Sequence, residues 1–227
     1  MKPLELLGAT SAPDGTDIRL TCRDGEYVIL ASGRPLMSSR LHGSEEALAT
    51  LGCTAARRLT RPRVLVGGLG MGFTLRAALD VLPSAAVVIV AELVPAVIQW
   101  NRDALAALAG SPLQDPRVRI EAADVGFTLR AHCGRFDAVL LDVDNGPAAF
   151  TTGANAGLYN DSGVAAAYAA LRPGGTLAVW SAWEDEGFEH RLRRHGFAVE
   201  VVRVRARLKK GGPRHTIFLA QRAGRAP

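Results

Sequence analysis

Cysteine is scarce in this chain: Cys22, Cys53 and Cys133 are the only three in 227 residues, far apart and without a CxxC pair. An odd number at such spacings argues against a disulfide framework and against a zinc site, so reduced packing residues are expected. Aromatic residues make up only 6% of the chain, and they do not alternate with the basic ones. That pattern offers no stacking platform for a nucleic acid. No apolar run reaches the length of a membrane span, and the opening stretch MKPLELLGATSAPDG has no signal-peptide core. A cytoplasmic protein with no membrane partner is the expectation.

What is present is apolar and mildly basic: 48% hydrophobic residues and a net charge of +5. That hydrophobic content supports a sizeable core in one large α/β domain, or in a small domain attached to a larger one. The positive charge concentrates only at Arg191 to Arg194 and from Arg203 to Arg214. A solvated helix face and a basic hairpin loop account for these runs, so a nucleic-acid partner is disfavoured while attraction of an acidic substrate stays open.

The chain is organised around RVLVGGLGMG, Arg63 to Gly72. Val64 to Val66 read as a buried strand, and Gly67, Gly68, Gly70 and Gly72 crowd the turn that leads into a helix over Phe73 to Val81. Glycine takes positive φ without strain and lets a ligand approach the backbone, and the following helix start offers unpaired N–H groups to an oxygen-rich ligand. Close helix-on-strand packing selects glycine too, so the neighbours must decide.

Before this turn, residues 4–38 read as a small antiparallel β unit with turn signals at Pro13-Asp14-Gly15, Asp24-Gly25 and Ser32-Gly33. Ser44 is placed as the N-cap of a helix running through Ala47–Leu51 to Gly52. After it, strands and helices alternate, which implies a parallel sheet covered on both faces. The second strand, Ala86–Ala91, ends at Glu92, whose carboxylate is placed to accept both hydroxyls of a ribose or simply to solvate a strand end. A helix over 95–108 and a strand over Val118–Ala122 follow. That strand leads to Asp124, beside Val125, which can accept an exocyclic amine of a nucleobase or cap the helix starting near Phe127.

The fourth strand, Phe136–Leu141, is nearly all apolar and therefore central. It runs into Asp142-Val143-Asp144-Asn145-Gly146-Pro147, where two carboxylates can bind a cation or take a proton from an amine, or else form an Asx-type turn. Residues 148–160 read as a loop in which Tyr159 closes on a ligand or anchors the loop. A helix over Ser162–Leu171, the turn Arg172-Pro173-Gly174-Gly175, a strand over Thr176–Trp180, two helices and a hairpin with strands at 198–205 and 216–220 complete the pattern. The hexapeptide GFTLRA occurs twice, at Gly72 and at Gly126, each time opening a helix after a strand tip.

The glycine turn, Glu92, Asp124, FDAVLLDVD and the LRPGG turn together resemble the class I S-adenosylmethionine-dependent methyltransferase fold over residues 60–222. The N-terminal β unit, the SEEALA helix and DVDNGP resemble the spermidine synthase (polyamine aminopropyltransferase) family within it. The resemblance implies an α/β fold: a Rossmann-like seven-stranded, mostly parallel sheet with helices on both faces (43–227), preceded by a small antiparallel β unit (1–42). It implies S-adenosylmethionine or its decarboxylated form as cofactor, a small-molecule acceptor with an amine favoured, and a role in polyamine biosynthesis. Gly68, Gly70 and Glu92 would hold the ribose side, flanked by Gly67, Gly72, Leu93 and Val125. Asp124 would contact adenine, Asp142 and Asp144 would lie near the reacting amine, and Tyr159 and Glu46 would touch substrate; no metal is implied. The family's DxxDP turn is replaced here by DVDNGP, and its Tyr-His-Glu helix start by His42-Gly43-Ser44-Glu45-Glu46. Methyl transfer to a small molecule and nucleoside binding without turnover are the other readings, with a nicotinamide dehydrogenase ranked last; a homodimer is allowed.

Overall fold

The computed structural model describes residues 3–143, 146–147, 156–207 and 212–224. Asp144, Asn145, most of the loop read at 148–160 and the Lys209-Lys210-Gly211 turn lie outside the described residues.

The chain opens with a four-stranded antiparallel meander, β1 (Glu5–Ser11), β2 (Asp17–Arg23), β3 (Glu26–Ala31) and β4 (Arg34–Ser38), paired in chain order. Its turns set the pairing. Asp24 and Gly25 have φ of 49° and 77°, and Ser32 and Gly33 have 48° and 74°. Two successive left-handed residues make the tight hairpin turn whose twist matches the flanking strands. Ile18, Leu20 and Ile29 then point inward and join the main core. Trp100 lies so close to Gly8 that a β-carbon there would collide with the indole.

Next come α1 (Gly43–Gly52), β5 (Arg63–Gly67), α2 (Phe73–Val81), β6 (Val87–Ala91), α3 (Pro95–Arg102), β7 (Val118–Glu121) and α4 (Val125–Ala131). They are followed by β8 (Phe136–Leu141), α5 (Ala156–Tyr159), α6 (Asp161–Ala170), β9 (Leu171–Ser181), α7 (Glu186–Arg194), β10 (Phe197–Arg205) and β11 (Arg214–Arg222). Strands β5 to β11 form one sheet in the order β10-β11-β9-β8-β5-β6-β7. Five of them run parallel, and β11 is antiparallel to both β9 and β10. The fold class is therefore the one read from the sequence.

Alternation along the strands sorts the core into two layers. Val64, Val66, Val88, Val90 and Leu140 pack with Leu48 of α1, Leu75 of α2 and Ile98 of α3. Leu65, Ile89, Val139 and Leu141 pack on the other face with Leu129 of α4, Val164 of α6 and Phe188 of α7. All six residues of β8 are buried, Asp137 included through its pairing with Arg172, as a central strand requires.

Several local expectations are corrected. The helix read over 95–108 ends at Arg102, because Asp103 leaves the helical region at φ −113° and ψ −103°, and a 3-10 turn over Ala106–Ala109 follows. Ser44 is inside α1; the N-cap position is His42. One helix, α7, stands where two were expected before β10. Strand β9 also starts at Leu171 and runs through Pro173-Gly174-Gly175, with a register shift against β8 that absorbs Gly174 at φ 81°. Cys53 is fully buried and its thiol is pushed up to about 12 by burial, but Cys133 is exposed. Among the described residues, no helix is long and apolar enough to cross a membrane.

Candidate functional site

The strand order reverses between β5 and β8. From β5 the chain moves outward through β6 and β7, then returns to the other side for β8. Open α/β sheets bind ligands in the crevice that such a reversal leaves beyond the carboxyl ends of the strands. The glycine turn leaves β5 there and Asp142 follows β8 there, with the Asp142 N–H donating to the Gly67 carbonyl at 2.9 Å.

The turn is left-handed at Gly68, Gly70 and Gly72, with φ of 84°, 51° and 84°. At Gly68 the requirement is double, since a β-carbon would also strike the Asp142 carbonyl. Gly67 lies just as close to the Val125 side chain. Met37 of β4 sits over Gly70, so the N-terminal meander supplies one wall of the crevice. The Asn101 amide donates to the carbonyls of Gly70 and Val97 at 2.8 and 2.9 Å, fixing the turn to α3.

Glu92 is buried and knits two loops together: one carboxylate oxygen accepts the Leu69 N–H at 2.9 Å, the other the Val94 N–H at 2.8 Å. Leu93 beside it is 37% exposed. Asp124 caps α4 by accepting the Phe127 N–H at 2.9 Å and keeps its side chain 43% exposed, while Phe127 at 63% exposure stands next to it. The cap and a ligand contact are thus compatible.

Asp142 does not stand alone. The Thr74 hydroxyl, from the first turn of α2, donates to its carboxylate at 2.5 Å. Burial nevertheless pushes Asp142 up to about 6, with Thr74 opposing the shift. Glu45, buried in the first turn of α1, is pushed up to about 8, first by burial and then by the charge of Asp142. With Glu45 raised in this way, the corner retains a proton near neutrality. Ser44, fully buried, contacts the Glu45 carboxyl at 2.6 Å and the Nδ1 of His215 at 2.9 Å. His215 in turn packs edge-on against Trp180, with ring centroids 4.6 Å apart.

Glu46, singled out from the sequence, faces elsewhere: it pairs with His42 at 2.6 Å, and His42 stacks on Phe73. Tyr159 is buried, donates its hydroxyl to the Val143 carbonyl at 3.2 Å, and receives the Arg191 guanidinium on its own carbonyl. It anchors the segment that follows β8. Asp144 lies outside the described residues. Glu45, Thr74 and His215 were not singled out, Ser44 was read only as a helix cap, and for Glu45 a signal existed. It lies three, four and seven residues before the buried Leu48, Ala49 and Gly52, on the inward stripe of α1, one step away from Glu46.

A cavity of about 470 Å³ lies apart from this crevice, lined by Glu184, Asp185, Glu186, Glu189, Val201, Arg203 and Phe218. Arg203 neutralises Glu184 within it.

No family model and no curated protein matches the chain. Solved structures do. A spermidine synthase from Thermotoga maritima superposes with a TM-score of 0.74 at 20% identity, covering 96% of this chain and 73% of its own. A spermidine synthase in complex with the transition state analogue AdoDATO gives the same figures, 0.74, 20%, 96% and 73%. The fold is that of the spermidine synthases. A probable spermidine synthase from Corynebacterium glutamicum agrees, at TM-score 0.69 and 16% identity over 97% of this chain and 81% of its own. The spermidine-synthase fold thus extends through the N-terminal meander as well as the seven-stranded sheet.

Proposed function

We propose that this chain is a transferase that takes the decarboxylated form of S-adenosylmethionine and passes its aminopropyl group to an amine. The observation that carries this reading is the Glu45–Asp142 carboxyl pair set against the glycine turn. Net negative charge in that corner attracts ammonium groups, on the aminopropyl tail and on the acceptor alike, and repels the carboxylate that intact S-adenosylmethionine carries. The neighbour of the same fold bound to the transition state analogue AdoDATO supports the same direction.

In this reading Gly67, Gly68, Gly70 and Gly72 let the nucleoside lie on the backbone. Glu92 accepts the ribose hydroxyls, Leu93 and Val125 flank the base, and Asp124 accepts the adenine amine. The sulfonium, when bound, supplies an activated carbon and a good leaving group. What the chain must add is position and a proton acceptor. Asp142, held by Thr74, orients the acceptor amine and takes its proton. Asp144 assists in taking that proton, and Tyr159 fixes the residue after Asp142 through the Val143 carbonyl.

Calorimetric titration with S-adenosylmethionine, its decarboxylated form, methylthioadenosine and NAD tests this directly, with Glu92→Ala as control. Tighter binding of the decarboxylated form, lost in the control, followed by turnover with a diamine, is the expected result. Tighter binding of intact S-adenosylmethionine would replace aminopropyl transfer by methyl transfer. Binding of the nucleoside without product from any acceptor would leave a binding protein.

A further inference from the structure

The acid pair at the crevice connects to a histidine on the far side of α1. Glu45, Ser44 and His215 form a continuous chain of contacts at 2.6 and 2.9 Å, and it begins at a carboxyl that Asp142 influences. Ser44 has no exposure, whereas His215 is partly exposed. A serine hydroxyl donates and accepts at once, so it can pass a proton between a carboxyl on one side and an imidazole nitrogen on the other. Neither Ser44 nor His215 is needed to hold α1 in place: the Gly43 N–H is already bonded to the Ala206 carbonyl, and Leu48 and Ala49 pack in the core.

We propose that Ser44 and His215 relay the proton released at the Glu45–Asp142 pair to solvent, so that the buried base is reset after each turnover. The step rests on the amine-transfer reading above. The product ammonium gives its proton to the pair. Glu45 then gives a proton to the Ser44 oxygen as the Ser44 hydroxyl proton moves to His215 Nδ1, leaving carboxylate, hydroxyl and imidazolium. The imidazolium releases its other N–H proton to water, and no oxidant or further reactant enters.

The surroundings leave His215 free to play this part. Val204 of β10 is its register partner, and the Trp180 ring packs against it. Arg203 and Arg205 flank Val204 and so project from the opposite face, as does Arg214 beside His215. His42 and Glu46 neutralise each other on α1. The hydrogen bond from His215 runs to Ser44, and through Ser44 to the Glu45 carboxyl. Burial lowers the affinity of His215 for a proton, which suits a group that must release one quickly.

His215→Asn separates a relay from a structural role, because its amide keeps a hydrogen bond to Ser44 but cannot carry a proton. The expected result is a fall in kcat of about tenfold or more, the lower end of what proton-transfer groups supply, together with a changed pH profile and unchanged nucleoside binding. Wild-type kcat and pH profile in His215→Asn would overturn the proposal. A second readout needs no turnover and therefore stands even if the transfer reading fails. In ¹⁵N-labelled protein the His215 ring nitrogens should show an inflection as Glu45 titrates near pH 8, and Ser44→Ala should abolish it. No such inflection in the wild type, or one that survives Ser44→Ala, would overturn the relay.

Discussion

The Thr74 hydroxyl and the Asp142 carboxylate are joined at 2.5 Å, tying the first turn of α2 to the tip of β8 across the point where the strand order reverses. The bond opposes the burial that raises Asp142 to about 6. Thr74→Val removes it at nearly constant volume. Asp142 should then hold its proton to higher pH, so the acidic limb of the pH–rate profile moves upward and kcat near neutrality falls several-fold. A limb that stays in place in Thr74→Val would show that Asp142 is not the group being read.

Glu45 makes stability depend on pH with a defined sign. Its affinity for a proton is raised on folding, from 4.5 to about 8, by burial and by Asp142. The folded state therefore holds the extra proton. The stabilisation is complete below pH 4.5, declines as pH rises toward 8, and is gone above that. The slope approaches about 1.4 kcal/mol per pH unit for one full proton. Denaturant unfolding at pH 5, 6.5 and 8 should show this decline, and Glu45→Gln should flatten it. An equally steep decline in Glu45→Gln would assign the effect to other groups.

Gly68→Ala meets two obstacles, a left-handed φ of 84° and the Asp142 carbonyl against the new methyl group. A loss of roughly 1–3 kcal/mol in stability is expected from the strained backbone position alone. Nucleoside affinity should fall with it, since the strand tip must retreat. Gly134→Ala, also left-handed at φ 56° but with open space around it, is the comparison that separates conformational strain from collision: it should cost less and leave binding unchanged.

Away from the crevice, Arg117 holds the edge of the sheet. Its guanidinium pairs with Asp115 through two nitrogens at 2.9 and 2.7 Å and donates to the carbonyls of Leu79 and Leu82 near the end of α2. That contact holds Asp115 down at about 2. Arg117→Ala leaves a partly buried carboxylate and helix-end carbonyls unpaired, so a loss of about 2–4 kcal/mol in chemical denaturation is expected. Arg117→Lys, which lacks the planar fork, should recover only part of it. A loss below the error of the measurement would mean that water replaces these bonds.

The sheet was legible because its strands are short apolar runs set between glycine-rich turns, a pattern that depends on local residue order. Boundaries set by distant contacts were not. Strand β9 begins at Leu171 despite Pro173-Gly174-Gly175 because a register shift against β8 accommodates them. The two copies of GFTLRA make the same point: Gly72 is the left-handed cap of α2, while Gly126 lies inside α4, which Asp124 caps instead. Glu92 and Asp142 stood out because strand tips are visible in sequence. Glu45 was overshadowed by Glu46, although helical periodicity distinguishes the two, and His215 had no local signal at all.

The bond between Ser44 and His215 spans 171 positions of the chain, and β11 must insert between β9 and β10 before it can close. Contacts of such separation carry a large loop-closure cost and form late. During synthesis, the crevice at the glycine turn can assemble while the β10–β11 hairpin is still within the ribosome. The connection from the acid pair to His215 cannot, because it requires β11 to be in place between β9 and β10.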